Sequence, residues 1–175
     1  MITLDDMSLS IEDFNRCIED IVNTSDNLID GWRFEQNEEL ENGKYIIKKE
    51  QKVLSQDQED DINHVLTFEY HIAFNISYGV PVLCFNVWKQ DGTMLTVEEF
   101  WKLNERFKES NMYDTITQMD HPVLRRPFFT LHPCRTHEIM EPFLEESKNP
   151  VVSWLTVVGP FVHLDLNEEY VKMCS

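Results

Sequence analysis

The stretch Phe68-Glu69-Tyr70-His71-Ile72-Ala73-Phe74-Asn75-Ile76 decides the fold. Side chains two apart in an extended chain point to one side, so the alternation predicts a long strand. Phe68, Tyr70, Ile72, Phe74 and Ile76 mark its core side. Pro81 is expected to break this strand, and Val82 to Trp88 to form the next, closed by the turn signal Asp91-Gly92. Upstream, Trp32 and Phe34 begin an edge strand, and Tyr45, Ile46 and Ile47 begin another that continues through Lys48 and Lys49 to Val53. The polar stretch Ser55 to Asn63 between strands reads as a solvated hairpin loop, with a docking surface for a basic partner as the alternative. It lacks the alternating acidic spacing and central glycine of a calcium loop.

Helical signals flank this block. Ser10 can cap a helix whose first turn holds Glu12 and Asp13, with Phe14, Cys17, Ile18, Ile21 and Val22 at three- and four-residue steps, ending before Gly31. Cys17 lies on that apolar stripe and reads as packing. Thr96-Val97-Glu98-Glu99 is a capping box, and Phe100, Trp101, Leu103 and Phe107 give the helix behind it an apolar side. Asn111 to Pro127 is expected to be loop because of Pro122 and Pro127, and Phe128 to Leu131 is a short apolar run, a last strand or an extended lead. Pro142 and Pro150 punctuate the remainder, and Val151 to Leu164 is a buried helix or a strand pair, with Trp154, Val157, Val158 and Phe161 favouring the helical face. The order is a helix, about four strands in an antiparallel meander, then helices: an α+β domain.

The chain has 175 residues and 20.8 kDa, of which 42% are apolar. That suits one domain, 1–175, with a real core, and excludes a disordered tail. Lys and Arg number 15 against 32 Asp and Glu, a net charge of -17. A phosphate backbone is bound by Lys and Arg displacing counterions, so nucleic acid and anionic membrane are poor partners for it. A protein with a basic patch is a better one. Met1 to Asp6 has the wrong charge for a secretory signal, and Val151 to Leu164 is shorter than the ~20 residues of a membrane span. The expected setting is cytoplasmic, with Cys17, Cys84, Cys134 and Cys174 reduced.

The chemistry-bearing segment is Phe128-Phe129-Thr130-Leu131-His132-Pro133-Cys134-Arg135-Thr136-His137. A residue before proline is pushed toward an extended conformation, so His132 and Cys134 can face the same space. Proline fixes the backbone just before the thiol. A helix beginning at Thr136 would add amides that favour a thiolate, as would Arg135. From the residues alone three readings of Cys134 stay open. It is a packing thiol, a zinc ligand with His132 and His137, or an acyl-accepting nucleophile. His64, His71 and His163 sit in apolar contexts and read as structural; His137 reads as an exposed helix-start residue, and His121-Pro122 as shaping an approach loop. Cys84 reads as core and Cys174 as part of a mobile end.

Asp114-Thr-Ile-Thr117, His121-Pro-Val-Leu124 and Pro127-Phe-Phe-Thr-Leu-His-Pro-Cys134 together resemble the autophagy-related protein ten family, whose members are similar to ubiquitin-conjugating (E2) enzymes. Tyr70-His71, Ser77-Tyr-Gly-Val-Pro-Val-Leu83 and Ser153-Trp-Leu-Thr-Val-Val-Gly-Pro160 add to the resemblance, which covers Phe68 to Leu164 well. The sister family that modifies phosphatidylethanolamine also has His-Pro-Cys, but with a large acidic insertion where this chain has only Ser55 to Asn63. The resemblance implies an E2-like fold and a thioester at Cys134. The carried group would be a ubiquitin-like modifier, autophagy-related protein twelve. It would come from an activating (E1) enzyme, autophagy-related protein seven, and pass to a lysine of autophagy-related protein five. No cofactor or metal is implied, and neither Gly-rich phosphate motif is present in the sequence. Ubiquitin-conjugating enzymes carry His-Pro-Asn upstream of the cysteine, whereas here the cysteine takes the third position of the triplet. With that Asn missing, His132 and Tyr78 are the candidates to donate to the tetrahedral oxygen. The rival reading is a non-catalytic acidic interaction module whose Cys134 is structural.

Overall fold

Ser10 starts the first helix as its side chain predicts: the hydroxyl accepts from the Asp13 amide at 3.0 Å. In the computed structural model, which describes residues 8–55, 63–104 and 116–175 (the side chains of 55, 63 and 134 excepted), this helix, α1, spans Ile11–Leu28. It buries Phe14, Cys17, Ile18, Ile21 and Val22 on one face. Each large side chain so buried contributes roughly 1.5–3 kcal/mol. The helix stops at Ile29, in the left-handed conformation with φ 56, whose amide donates back to the Ser25 carbonyl.

Among the described residues six strands follow: β1 (Arg33–Gln36), β2 (Lys44–Ser55), β3 (Asn63–Asn75), β4 (Val80–Trp88), β5 (Ile116–Asp120) and β6 (Pro127–Leu131). They form one antiparallel sheet in the order β1-β2-β3-β4-β6-β5. The four-stranded meander is therefore present, and a β5–β6 hairpin extends it beside β4. The expectation of loop from 111 to 127 is corrected over 116–120, since Ile116 through Asp120 pair in register with Leu131 through Pro127. Neither proline interferes. Pro122 lies in the connecting turn and Pro127 is the first residue of its strand, where a missing N–H is tolerated. Pro81 likewise does not end β3; it lies within β4, opposite Phe74. The break is the turn after Asn75, so Ile76 is 67% exposed and not on the core face. The Asp57–Asp61 stretch and Phe107 lie outside the described residues.

The helices behind the meander are α2 (Val97–Lys102), α3 (Thr136–Glu146), α4 (Pro150–Val158) and α5 (Glu168–Val171). The capping box at Thr96 forms fully, with the Glu99 carboxylate accepting from the Thr96 amide at 2.9 Å. Pro142, expected to interrupt, sits inside α3; Ile139, Met140 and Leu144 pack on the core around it and hold the helix through the lost hydrogen bond. Pro150 opens α4 as its first residue. That helix ends at Val158, earlier than expected, because the chain folds back on Gly159, whose carbonyl accepts from the Leu164 amide at 2.9 Å. A Cβ on Gly159 would lie 2.6 Å from the Leu164 carbonyl oxygen. Val157, expected on the buried face, is 40% exposed.

The main core lies between α1, α4 and one sheet face, which contributes Phe68, Tyr70, Ile72, Phe74, Leu83 and Phe85. A smaller cluster (Tyr45, Ile47, Ala73, Val82, Cys84 and Phe128 among its members) fills the opposite face, under Leu40, Val123 and Leu124.

Candidate active site

The segment around Cys134 is set by the strand before it and the helix after it. Phe129 faces the main core against Phe85, with ring centroids 5.8 Å apart, while Phe128 faces the smaller cluster. With both sheet faces engaged, Leu131 ends the strand at a fixed place. His132 is half-buried, Pro133 buried, and Pro133–Arg135 form one 3-10 turn that passes into α3. Cys134 thus lies just ahead of α3, which begins at Thr136. Arg135 gives α3 no side-chain cap, and the 3-10 turn leads the chain directly into its first amides. Those amides and the Arg135 charge make this a setting that favours an anion.

Tyr78 projects from the turn between β3 and β4 and is 50% exposed. Asn75 shapes that turn twice: its carbonyl accepts from the Gly79 amide at 2.8 Å and its side-chain oxygen accepts from the Tyr78 amide at 3.2 Å. Gly79 closes it with φ 62, a conformation glycine adopts without strain. Because β6 runs antiparallel to β4, the chain leaving β6 moves toward the Val80 end, and the Pro133–Arg135 turn packs against β4. The topology therefore carries His132 and Cys134 toward the end of the sheet from which Tyr78 projects. An open cleft of about 400 Å³ lies beside the same turn, between Asn75, Ser77, Leu40, Asp120, His121 and Arg125.

One arrangement went unread in the sequence. His121 is fully buried, and its Nδ1 accepts from the amides of Val123 and Leu124, both at 3.1 Å. Its proton must then sit on Nε2, 3.2 Å from His71 Nδ1. His71 Nε2 in turn donates to Glu69 at 2.7 Å, and Lys49 reaches the other Glu69 oxygen at 2.6 Å. Burial alone would raise the Glu69 carboxyl; hydrogen bonds from His71 and Lys49 outweigh it and hold the group at about 2. Burial, aided by the Arg126 charge and by repulsion from His71 when that ring is protonated, pushes His121 down to about 3. The signal in the sequence was that Glu69, His71 and Ala73 share the strand face opposite the large apolar residues.

The remaining thiols behave as packing groups. Burial raises Cys17 to about 11 and pushes Cys84 up further in the same direction. Cys174 is not at a loose end: it is half-buried, its thiol faces the Asn149 carbonyl at 3.9 Å, and its own carbonyl accepts from the Lys148 amide. Among the described residues, no group of three or more His, Cys, Asp or Glu is placed to hold a metal ion, and no helix is long and apolar enough to cross a membrane.

An antiparallel meander packed on helices, with a His-Pro-Cys segment passing from its last strand into a helix, is an E2-like arrangement. The chain aligns with the crystal structure described as that of the autophagic E2, Atg10, at a TM-score of 0.59, covering 90% of this chain and 99% of that one at 12% identity. At that identity the likeness speaks for the fold. The chain belongs to the Atg10 branch of the family described as autophagocytosis associated protein, active-site domain, whose model matches residues 11–169. It is 42% identical over 123 residues to the human ubiquitin-like-conjugating enzyme ATG10, covering 65% of this chain and 56% of that protein. Its counterpart of the same name in Dictyostelium discoideum is 30% identical over 127 residues, 62% of this chain and 55% of that one. The Arabidopsis thaliana counterpart is 32% identical over 115 residues, with coverages of 58% and 51%. The chain thus spans about half the length of these relatives.

Proposed function

We propose that this chain, acting as a single E2-like domain over 1–175 in the cytoplasm, is a transferase that carries a ubiquitin-like modifier on Cys134. The observation that carries the reading is the position of His132-Pro133-Cys134 at the junction of β6 and α3 in a member of this family. The Cys134 thiolate attacks the thioester carbonyl by which the activating enzyme, autophagy-related protein seven, holds the C-terminal glycine of autophagy-related protein twelve. The activating enzyme's thiolate leaves. A neutral lysine amine of autophagy-related protein five then attacks the new thioester, the Cys134 sulfur departs, and the amine loses a proton as the isopeptide bond forms. A thiol suits both halves, since it attacks well and leaves well. ATP is consumed at the activating step, so the chain itself needs no nucleotide site.

Both tetrahedral intermediates place negative charge on an oxygen. We assign its stabilisation to His132, two residues before Cys134, and to the Tyr78 hydroxyl at the same end of the sheet.

The test mixes the chain with activating enzyme, modifier and ATP. An adduct that a reducing agent removes is expected, and Cys134→Ser should convert it to a reductant-resistant ester. An adduct that survives Cys134→Ala overturns the proposal.

A further inference from the structure

We propose that His121 is a positioning residue for Cys134, tying the loop that feeds β6 to the centre of the sheet through His71 and Glu69. This deepens the reading of Cys134 given above and rests on it. Residues 121–126 form the β5–β6 loop, closed by the His121 amide on the Arg126 carbonyl at 2.9 Å and the Arg125 amide on the His121 carbonyl at 3.0 Å. Inside the loop, His121 Nδ1 takes the two amides that follow it. Across to the sheet, His121 Nε2 donates to His71 on β3, itself held by Glu69, whose other oxygen pairs with Lys49. The two nitrogens of the imidazole thereby do separate jobs: Nδ1 shapes the loop, Nε2 anchors it.

The anchor matters because β6 is otherwise lightly fastened to the meander. It registers with β4 only at Cys84–Thr130 and Phe85–Phe129, whereas it pairs with β5 along its full length. With so short a backbone ladder, side-chain anchors must fix where the hairpin lies and hence where the residues after Leu131 are placed. The histidine bond supplies a further fixed point at the far side of Phe128, whose ring packs on both imidazoles, 4.8 Å from His71 and 5.2 Å from His121. Tyr45 closes over the same pair, stacked on His71 at 5.5 Å. Both histidines are buried among these rings and still carry polar nitrogens. Their chemistry is the directed chain of hydrogen bonds.

The two nitrogens can be separated by substitution. His121→Asn keeps an acceptor near Nδ1 and loses the reach to His71; His121→Gln keeps a donor near Nε2; His71→Phe removes the anchor point and leaves the loop untouched. On the whole chain, loaded with modifier and chased with acceptor, His121→Asn and His71→Phe should each slow discharge about tenfold, with the acceptor KM unchanged. Because they break one link, the double variant should be no slower than either single. His121→Gln should run nearer to the wild-type rate than His121→Asn does. Urea unfolding of each variant confirms that it is folded at the assay temperature. Wild-type discharge in a folded His121→Asn or His71→Phe chain overturns the inference, as do losses that multiply in the double variant. If the wild-type chain accepts no modifier at Cys134, the proposed function has failed and the positioning claim is read separately. Iodoacetamide labelling of Cys134, in a Cys174→Ser background and followed by mass spectrometry, should then differ severalfold from wild type in both single variants. Equal labelling rates overturn it.

Discussion

Asn149 joins two helices that are far apart in sequence: its side-chain amide donates to the Cys17 carbonyl of α1 at 3.0 Å while its side-chain oxygen caps α4 by accepting from the Val152 amide at 3.0 Å. The residue is 1% exposed, so both halves of the amide are spent in a dry place. The main core is closed by these same two helices packing on the sheet. The seam between them therefore carries a directional bond as well as apolar contact.

Asn149→Asp tests the donor half. The carboxylate still caps α4, but it now faces the Cys17 carbonyl with no proton to give. A loss of about 2–4 kcal/mol at pH 7 is expected, from a buried charge set against an acceptor. The protonated acid can donate again, so the variant's carboxyl is raised in the folded chain, and the deficit relative to wild type should shrink as pH falls toward 4. Urea unfolding at several pH values measures this. A deficit that does not move with pH would mean the bond to Cys17 contributes nothing.

Tyr170→Phe tests how the C-terminal segment is held. The Tyr170 hydroxyl donates to both Asp30 oxygens, at 2.8 and 2.7 Å, and Asp30 also accepts from Ser25 and lies 3.7 Å from Lys48. Burial, with the Asp30 hydrogen bond, pushes the phenol up, so it stays a donor throughout the usual pH range. Removing a hydrogen bond to a charged, half-buried group should lower stability by about 1.5–3 kcal/mol. Limited proteolysis should then cut after Leu164 before the rest of the chain is attacked. Global unfolding without early cleavage there would show that α5 is held by packing alone.

Acid should weaken the fold through His121 and Glu69. The His121 imidazole is held at about 3 in the folded chain against an ordinary 6.5, so the unfolded chain binds the extra proton between those values. Stability is complete above about pH 6.5 and falls as pH drops toward 3, by at most ~1.4 kcal/mol per pH unit for one group. Glu69, held at about 2 against 4.5, adds a second loss that begins below about pH 4.5. His121→Asn, which carries no titrating group there, should flatten the slope between pH 6.5 and 4.5 while leaving the one below. Equal slopes in wild type and variant over the upper interval would contradict this account.

The sheet and α1 were legible because each faces one core. Period two in Phe68 to Phe74 and the stripe from Phe14 to Val22 are direct imprints of one buried side. The capping residues Ser10 and Thr96 act locally, so neighbours suffice to read them. What escaped depends on partners distant in the chain. Residues 116–120 are a strand only because β6 returns beside them, and their burial alternates too weakly to announce it. Glu69 and His71 resemble a solvated strand face until the 121–126 loop is laid over them. Cys134 was legible as a candidate through its neighbours and the family resemblance, whereas Tyr78's place on a turn follows from Gly79 and the Asn75 side chain, which the strand pattern hid.

Ile29→Gly should stabilise the chain. Ile29 ends α1 at φ 56 and is 90% exposed, so a β-branched residue holds a strained backbone and buries almost nothing in return. Glycine relieves the strain, at the expense of a looser unfolded chain, for a net gain of about 0.5–1 kcal/mol. The Ser25–Ile29 backbone bond needs no side chain and should persist. A lower urea midpoint in the variant would mean that Ile29 makes contacts beyond its own backbone.

Tyr78→Phe and His132→Ala address the assignment of the oxyanion donors. Half of the Tyr78 surface is exposed and its turn is held by Asn75 and Gly79, so loss of one hydroxyl should change stability by less than about 0.5 kcal/mol. Lysine transfer from the loaded chain should nonetheless slow by about ten- to a hundredfold, with acceptor KM unchanged, because the missing bond is made in the transition state. In the proposed reaction the loading of Cys134 passes through the same kind of tetrahedral oxygen and should slow as well. His132→Ala should behave alike, and the double variant should be slower than either single if the two groups donate independently. Transfer at the wild-type rate in both single variants would place the oxyanion donor elsewhere, with the amides at the head of α3 the next group to examine.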